Sequence, residues 1–228
     1  YQKVHNFCSV DMGGFYLDII KDRQYTTAED SVARRSAQTA IYHIVEALTR
    51  WLAPILSFTA DEIWKEIPGE REDSVFFVTW YQGLQRLEKT GKLNKGFWDS
   101  LLTVREGVNN TLEGLRSSKQ IGSSLDAEVT IFCDDGLLEK LSAVGDELRF
   151  ALITSYADIK PLAEAGGAEI VETESGEKYA VVATVSEYSK CVRCWHHRED
   201  VGADADHPEL CSRCVENVTT SGESRQFV

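Results

Sequence analysis

The sequence lacks long hydrophobic runs and holds a single methionine among its 228 residues. No apolar stretch approaches the roughly 20 residues that a membrane-spanning helix needs, and the opening YQKVHNF lacks the layout of a signal peptide. A soluble protein of the cytoplasm, without membrane contact, is therefore expected. Because the chain begins at Tyr1 and its one methionine is Met12, we interpret it as a piece of a longer protein.

Familiar catalytic patterns are also missing, and so is an excess of positive charge. The sequence contains no glycine-rich phosphate loop, no Ser/His/Asp set and no histidine-rich metal motif. Its net charge of −13 disfavours nucleic-acid binding, because phosphate contact requires surface Lys and Arg. The acidity is uneven, however: residues 1–53 carry six basic and six acidic side chains, so that region is neutral. Local patches decide contact, so RNA binding is not excluded.

Apolar spacing predicts a mainly α fold that begins with a helical bundle over residues 1–120. Between Ser31, a candidate N-cap, and Pro54, apolar residues recur every three or four positions, which is typical of a helix with one buried face. The run 59–62 fits a capping box for a short helix, and another long helix is predicted from Phe97 to about Ser117. GGFYLDIIKDRQY, residues 13–25, predicts a helical segment opened by two glycines.

A small α/β module is predicted over residues 121–185. AEVTIFC, residues 127–133, alternates like a strand, and Asp134 can start a helix after it. ALIT, residues 151–154, predicts a second strand, and residues 169–185 predict a hairpin. A cysteine-rich tail over residues 186–228 completes the chain.

The tail contains two Cys-x-x-Cys pairs, and this motif is the most specific feature of the sequence. Sixteen residues separate the two pairs, which comprise Cys191, Cys194, Cys211 and Cys214. Zinc prefers four tetrahedral ligands, and two such turns can close its coordination shell. The polar connecting loop cannot form a core unaided, whereas structural zinc supplies on the order of ten kcal/mol of folding energy. One structural Zn²⁺ is therefore predicted, because a closed four-thiolate site leaves no position for substrate.

Other uses of the cysteines are open. Disulfides would require an oxidising compartment, which nothing else in the sequence suggests. A thioredoxin-type redox pair would not occur twice, and four unliganded cysteines at this spacing are uncommon. A nearby histidine could replace one cysteine, the candidates being His196, His197 and His207. Cys8 and Cys133 lie in apolar surroundings and are expected to be small buried side chains.

Five side chains are candidates for nucleic-acid contact. Arg193 and Arg213 occupy equivalent places in the two cysteine turns, where they could neutralise the zinc thiolates or contact phosphate. Trp195 could belong to the small core of the tail or stack on a base. Arg116 and Lys119 lie at a predicted helix end, where cations favour the helix dipole but could also bind RNA phosphate.

Four stretches together resemble the C-terminal portion of bacterial isoleucyl-tRNA synthetases, which are class I aminoacyl-tRNA synthetases. They are GGFYLDIIKDRQYT, PILSFTADEIW, RSSKQIGSSLDAEVT and CVRCWHH…ELCSRCVENV. The resemblance implies that the helical part is similar to the anticodon-stem-binding domain of that class, and that the four tail cysteines match the family's zinc ligands one for one.

The same resemblance implies a non-catalytic role for this chain. The family's catalytic domain, its ATP-handling motifs and its editing domain have no counterpart in the sequence. The chain would hold the anticodon arm of tRNA(Ile), while a catalytic domain elsewhere in a monomeric parent uses ATP for aminoacylation. The parent's catalytic and editing domains would then be its protein partners.

Two rival functions remain. The terminal module also resembles the zinc finger of bacterial formamidopyrimidine DNA glycosylases, although the chain shows no N-terminal catalytic proline. A zinc-stapled protein-interaction scaffold would suit the acidic composition. Binding to tRNA, to duplex DNA or to neither separates the three functions.

Overall fold

The computed structural model describes residues 1–87 and 91–227. About half of these residues are helical, and a four-stranded mixed sheet accounts for most of the remaining regular structure. The fold therefore contains the predicted helical part, but "mainly α" understates the sheet. No helix in the described residues is long and apolar enough to cross a membrane.

The first half of the chain is helical, as predicted. An almost continuous helical segment runs from residue 2 to residue 25 and is followed by two further helices. The elements are α1 (Gln2–Asn6), a π-helix (Phe7–Tyr16), α2 (Leu17–Ile19), α3 (Lys21–Tyr25), α4 (Val32–Leu52) and α5 (Ser57–Glu66).

Predicted helix boundaries hold for α4 but not for its neighbours. The Ser31 hydroxyl accepts a hydrogen bond from the Arg34 amide, and α4 ends just before Pro54, as predicted. The capping box proposed for Thr59 is wrong, since α5 begins at Ser57 without a side-chain cap. The paired glycines open no helix either, because they lie inside the π-helix.

Helix α6 (Lys95–Ser117) connects the helical part to the sheet. The Asn94 side chain caps its first turn, and its buried face consists of Phe97, Ser100, Leu101, Val104, Val108 and Leu112. Gly107 lets the helix approach the sheet closely, because a Cβ there would lie 2.6 Å from the Tyr179 hydroxyl. The predicted helix and its end at Ser117 are confirmed.

The sheet has the order β2-β1-β4-β3. Its strands are β1 (Ala127–Cys133), β2 (Tyr156–Pro161), β3 (Val171–Glu172) and β4 (Lys178–Val185). β1 pairs in parallel with β2 and antiparallel with β4, while β3 and β4 form the predicted hairpin. The crossover from β1 to β2 contains α7 (Asp135–Ser142), capped by Asp134 as predicted, and α8 (Leu148–Leu152).

The predicted strand at 151–154 is wrong. Residues 148–152 form α8 with every side chain buried, and Ile153 ends the helix in the left-handed conformation at φ 58°. The run ALIT is too short to carry a period that separates a buried helix from a buried strand.

Three hydrophobic clusters organise the described residues. The largest joins α6, the sheet, α7 and α8, so it crosses the boundary predicted near residue 120. A small cluster around Trp64 holds α5 to the segment near Val75. The third consists of the four tail cysteines with Val201 and Leu210 beside them. The division into units at 120 and 186 stays a prediction.

Candidate metal centre and nucleic-acid interface

The four tail cysteines meet at one buried point. Their Sγ atoms all lie within 4.8 Å of one another, and the Cys194 and Cys211 sulfurs are 3.7 Å apart. A tetrahedron of sulfurs bonded to zinc at about 2.3 Å has edges of about 3.8 Å. Within the described residues, this is the group of His, Cys, Asp and Glu side chains placed to hold a metal ion. The four side chains therefore fit one Zn²⁺.

Two of the four thiols, those of Cys191 and Cys194, have a lowered pKa in this arrangement. Hydrogen bonds from the thiols of Cys191, Cys211 and Cys214 lower the pKa of the Cys194 thiol. The Cys211 amide donates to the Cys191 sulfur at 3.4 Å. Zinc binds thiolates, so donors aimed at sulfur favour the form that coordinates the metal. When bound, the ion supplies folding energy to a tail whose own core is small.

The histidines and the remaining cysteines lie outside this set. His196 hydrogen bonds the Cys194 carbonyl through Nδ1, and His197 bonds the Tyr188 carbonyl, so both rings fix the backbone near the cluster. Cys133 is buried as expected, and burial raises the pKa of its thiol to about 12, which keeps it protonated. The expectation for Cys8 is wrong, since it is exposed on the π-helix.

Both knuckle arginines contact the helical body. We call Cys191–Cys194 the first knuckle and Cys211–Cys214 the second. Arg193 of the first knuckle donates to the Thr26 carbonyl and lies 3.8 Å from the Cys214 sulfur, a position that suits the neutralising role. Arg213 of the second knuckle forms a bidentate pair with Asp22 at 2.8 and 2.9 Å. Only 12% of the Arg213 side chain is exposed, so its guanidinium serves docking rather than an open surface.

Sequence reasoning missed the residues that complete this docking. Arg225 also pairs with Asp22, at 2.7 Å, and its guanidinium lies 3.5 Å from the centre of the Phe150 ring. Asn217 of helix α9 (Ser212–Thr219) accepts a hydrogen bond from the Ala28 amide. Burial alone would raise the pKa of Asp22, but the charges of Arg213 and Arg225 outweigh it and hold the pKa far below the ordinary value. No local pattern could reveal these contacts, which join segments about 190 residues apart in the chain.

Trp195 combines exposure with an unfavourable backbone. Its φ of 66° lies in the left-handed region, which costs an ordinary residue about 1–2 kcal/mol. Its side chain is 62% exposed, so burial cannot explain why a bulky aromatic residue occupies this position. Strained backbone at a solvent-facing aromatic ring is characteristic of functional sites. The core role considered from the sequence does not describe this ring.

Beside Trp195 lies a cleft of about 850 Å³. Its walls come from the first helical segment, α6, the loop before β1, the end of α8 and the first knuckle. Its lining has charges of both signs, since Lys21 and Arg105 pair with Asp18 at 2.7 and 3.9 Å. Arg193 is a third cation, Asp22 a second carboxylate, and Trp195 and Phe150 supply rings. Its size and lining can accommodate an unstacked nucleotide, with an aromatic face and cations nearby.

Lys119 and Arg116 lie near this cleft in the chain but do not line it. Lys119 is exposed, with a left-handed backbone at φ 58°, just after α6 ends. Arg116 pairs with Glu113 and also donates to the Ser124 hydroxyl at 3.3 Å. Ser124 lines the cleft, so the 116–125 loop and the first knuckle border one concave region.

Comparison with known proteins identifies two matching families. Residues 1–131 match the family described as "Anticodon-binding domain of tRNA ligase". Residues 189–217 match the family described as "Zinc finger found in FPG and IleRS". The second family is shared with DNA glycosylases, whereas the first, covering more than half of the chain, is a family of tRNA ligases.

Several curated relatives match over the whole chain. The isoleucine–tRNA ligase of Thioalkalivibrio sulfidiphilus (strain HL-EbGR7) is 61% identical over 229 residues. The isoleucine–tRNA ligases of Nitrosococcus oceani and Alkalilimnicola ehrlichii are 60% and 58% identical. Each alignment covers 100% of this chain but 24% of the relative, so the chain spans about a quarter of their length.

Proposed function

We propose a function from one premise: this chain belongs to the anticodon-binding domain family of tRNA ligases. It grips the anticodon arm of tRNA(Ile), so that the acceptor end reaches a catalytic domain outside this chain. Its contribution to aminoacylation is positioning, because a correctly held substrate brings reacting groups together without a catalytic side chain in the holding domain. ATP is used in that other domain, in a cytoplasmic, monomeric isoleucine–tRNA ligase.

The observation that carries this proposal is the presentation of Trp195. The knuckle arginines dock the zinc module onto residues 22–26, which leaves the Trp195 ring at the border of the 850 Å³ cleft. RNA is read mainly at unstacked loop bases, by stacking and by hydrogen bonds to base edges. The Trp195 ring offers a stacking surface, and the polar and charged groups of the cleft offer hydrogen bonds.

Four side chains are assigned to tRNA contact. Trp195 stacks on a loop base. Arg193 donates to the RNA through the guanidinium N–H groups that do not bond the Thr26 carbonyl. Lys119 and Arg116 approach phosphates from the 116–125 loop. Arg213 orients the second knuckle through Asp22 and acts on tRNA only through that placement.

Several cations of this acidic chain form ion pairs inside the fold, among them Arg71, Arg213 and Arg225, and are not available to RNA phosphates. Binding should therefore depend on a few phosphate contacts and have a shallow dependence on salt. Each phosphate neutralised adds about 0.7–0.9 to the slope of log K against log salt. A slope of one to three is expected, well below that of a basic RNA-binding protein.

Binding measured at several salt concentrations tests the proposal. The chain, loaded with zinc, is titrated with tRNA(Ile), a non-cognate tRNA and duplex DNA of equal length. Preferential binding of tRNA(Ile) is expected, and Lys119→Ala should lower both the affinity and the salt slope. Glu164→Ala, a charge change on the exposed surface after β2, is the control. Equal binding to duplex DNA, or no binding to any of the three, would reject the proposal.

A further inference from the structure

Residues 55–87 expose an unusual amount of apolar surface. Nine of the 24 large hydrophobic side chains that are exposed in the described residues belong to this segment of 33 positions. The six most exposed of the nine, at 55–87% exposure, are Ile55, Phe58, Phe76, Phe77, Trp80 and Leu87. We call these nine exposed side chains together the 55–87 face. Its four aromatic rings alone leave about 550 Å² in water, taking about 200 Å² per side chain. The largest apolar patch on an ordinary monomer measures about 300–600 Å² and is often functional, and the aromatic area here lies near the top of that range.

The elements that present this face are firmly placed. Trp64 is 2% exposed, fills the small cluster beneath, and donates its indole N–H to the Glu72 carbonyl at 2.8 Å. The Ser74 hydroxyl donates to the Asp61 carboxylate at 2.5 Å, joining the segment before Val75 to α5. Phe58, Phe76 and Phe77 are therefore carried by elements that pack on one buried base.

The charge around the 55–87 face disfavours RNA as its occupant. Residues 55–87 carry six acidic and three basic side chains. Two of the three basic groups are already paired, Lys65 with Asp61 and Arg71 with Glu46. An RNA backbone needs cations, whereas aromatic rings with an acidic rim are typical of protein interfaces.

The length of the relatives indicates which protein covers the face. The chain accounts for 24% of the isoleucine–tRNA ligases that it matches, which leaves about three quarters of each relative outside it. Interfaces between domains of one chain bury about 600–1,500 Å², a range that this face can supply. A domain that holds one end of a tRNA must also be fixed relative to the domain that acts on the other end.

We propose that the 55–87 face docks against the remaining three quarters of the ligase, and that tRNA contacts a different side of the molecule. Phe58, Phe77 and Trp80 are the central contacts, with an apolar, basic-rimmed surface of the other portion as their partner. This assignment rests on the proposed function in one respect: it takes the chain to act within a longer tRNA ligase.

Hydroxyl-radical footprinting of two proteins tests the assignment. One protein is this chain alone. The other is a chimaera in which the chain replaces the matching quarter of the Thioalkalivibrio sulfidiphilus ligase, which is 61% identical to it. Oxidation of Phe58, Phe77 and Trp80 should fall at least about threefold in the chimaera, as expected when mostly exposed rings enter an interface. Tyr25, which is 78% exposed and outside the 55–87 face, is the internal reference and should keep its labelling.

A charge substitution on the face provides the second measurement. Phe77→Asp should restore labelling of Phe58 and Trp80 in the chimaera, while the unfolding temperature of the isolated chain stays unchanged, because Phe77 is 72% exposed. Ile170→Asp, at a side chain 53% exposed ahead of β3, is the matched control and should leave the protection intact.

Three results would overturn the docking assignment. They are equal labelling in both proteins, protection of the isolated chain that grows with its concentration, and protection that requires added tRNA. The second would identify a copy of the chain as the occupant, and the third would identify RNA. Affinity of the isolated chain for tRNA is measured separately. A chain that fails to bind tRNA but is protected in the chimaera would refute the proposed function and leave the docking surface standing.

Discussion

Replacing Trp195 with glycine should separate stability from RNA binding, because the tryptophan ring is exposed while its backbone is strained. Glycine removes the cost of the left-handed conformation, about 1–2 kcal/mol, but loses about 0.5–1 kcal/mol more entropy on folding. The ring is 62% exposed. Its buried part, about 75 Å² of a roughly 200 Å² side chain, is worth at most about 2 kcal/mol. These effects oppose one another, so the free energy of unfolding should change by less than about 2 kcal/mol.

The effect of the same substitution on tRNA binding should be larger. Stacking of one base on an aromatic side chain contributes about 1–3 kcal/mol, so Trp195→Gly should weaken binding of tRNA(Ile) by about 5- to 150-fold. The salt slope should not change, because no charge is removed. Trp195→Phe retains a stacking surface and should recover part of the affinity. Trp80→Gly removes an equally exposed tryptophan that does not line the cleft, and it should leave tRNA binding of the isolated chain unaltered.

The assay is fluorescence anisotropy of labelled tRNA, run beside chemical denaturation and a zinc determination for each variant. Unchanged affinity in a Trp195→Gly protein that retains its zinc would refute the stacking role. A collapse of stability by several kcal/mol would refute the strain argument, because it would make the ring part of the core.

Three further perturbations have definite expected outcomes. Zinc can be removed with a strong chelator or by replacing Cys211 with serine. Either change should lower the unfolding temperature and abolish tRNA binding together, since metal binding supplies much of the tail's folding energy. Metal analysis should find one zinc per chain before treatment and none after. Burial would raise the pKa of Glu46, but hydrogen bonds from two arginines and a tyrosine outweigh it and lower the pKa. Glu46 therefore stabilises the fold above the ordinary carboxyl pKa and loses that contribution as the pH falls through its lowered pKa, so acid denaturation of Glu46→Gln between pH 6 and 3 should be flatter than that of the unmodified chain. Gly222→Ala places a Cβ 2.6 Å from the Ala28 Cβ at φ 91°, and it should lower the free energy of unfolding in denaturant by about 1–3 kcal/mol. Gly176→Ala, at φ 82° in open space, incurs the backbone strain alone and should lower it less.

The features that could be predicted from sequence are those encoded by near neighbours. Helices α4 and α6 follow from apolar spacing over more than 20 residues, with caps that local hydrogen bonds provide. The zinc ligands follow from the two Cys-x-x-Cys turns, because the spacing within each turn places two sulfurs where one ion can bind both. The strand error falls where that local information is short: residues 150–153 are four consecutive apolar side chains, and a run of that length fits a buried helix and a buried strand equally.

The docking of the knuckles could not be predicted because it depends on long-range placement. Asp22 and Arg213 are 191 positions apart in the chain, and no sequence motif contains both residues. This placement matters for function. Arg213 is a candidate for phosphate contact by its position in the knuckle, but in the fold it pairs with Asp22. Local spacing identifies which groups hold the metal, whereas only the folded structure shows which charges remain available to a ligand.

The pairing of Asp22 with the tail has a consequence for how the protein is made. A ribosome adds about 5–20 residues per second, so α3 emerges roughly 10–40 seconds before the arginines that neutralise its aspartate. Until Arg213 and Arg225 arrive, 191 and 203 positions later, Asp22 must stay hydrated and the first helical segment cannot settle into its final packing. A polypeptide that stops between Asp22 and Arg213 lacks both of these cationic partners for the carboxylate. The two tail arginines thus couple the final packing of the first helical segment to the synthesis of residues about 190–200 positions later in the chain.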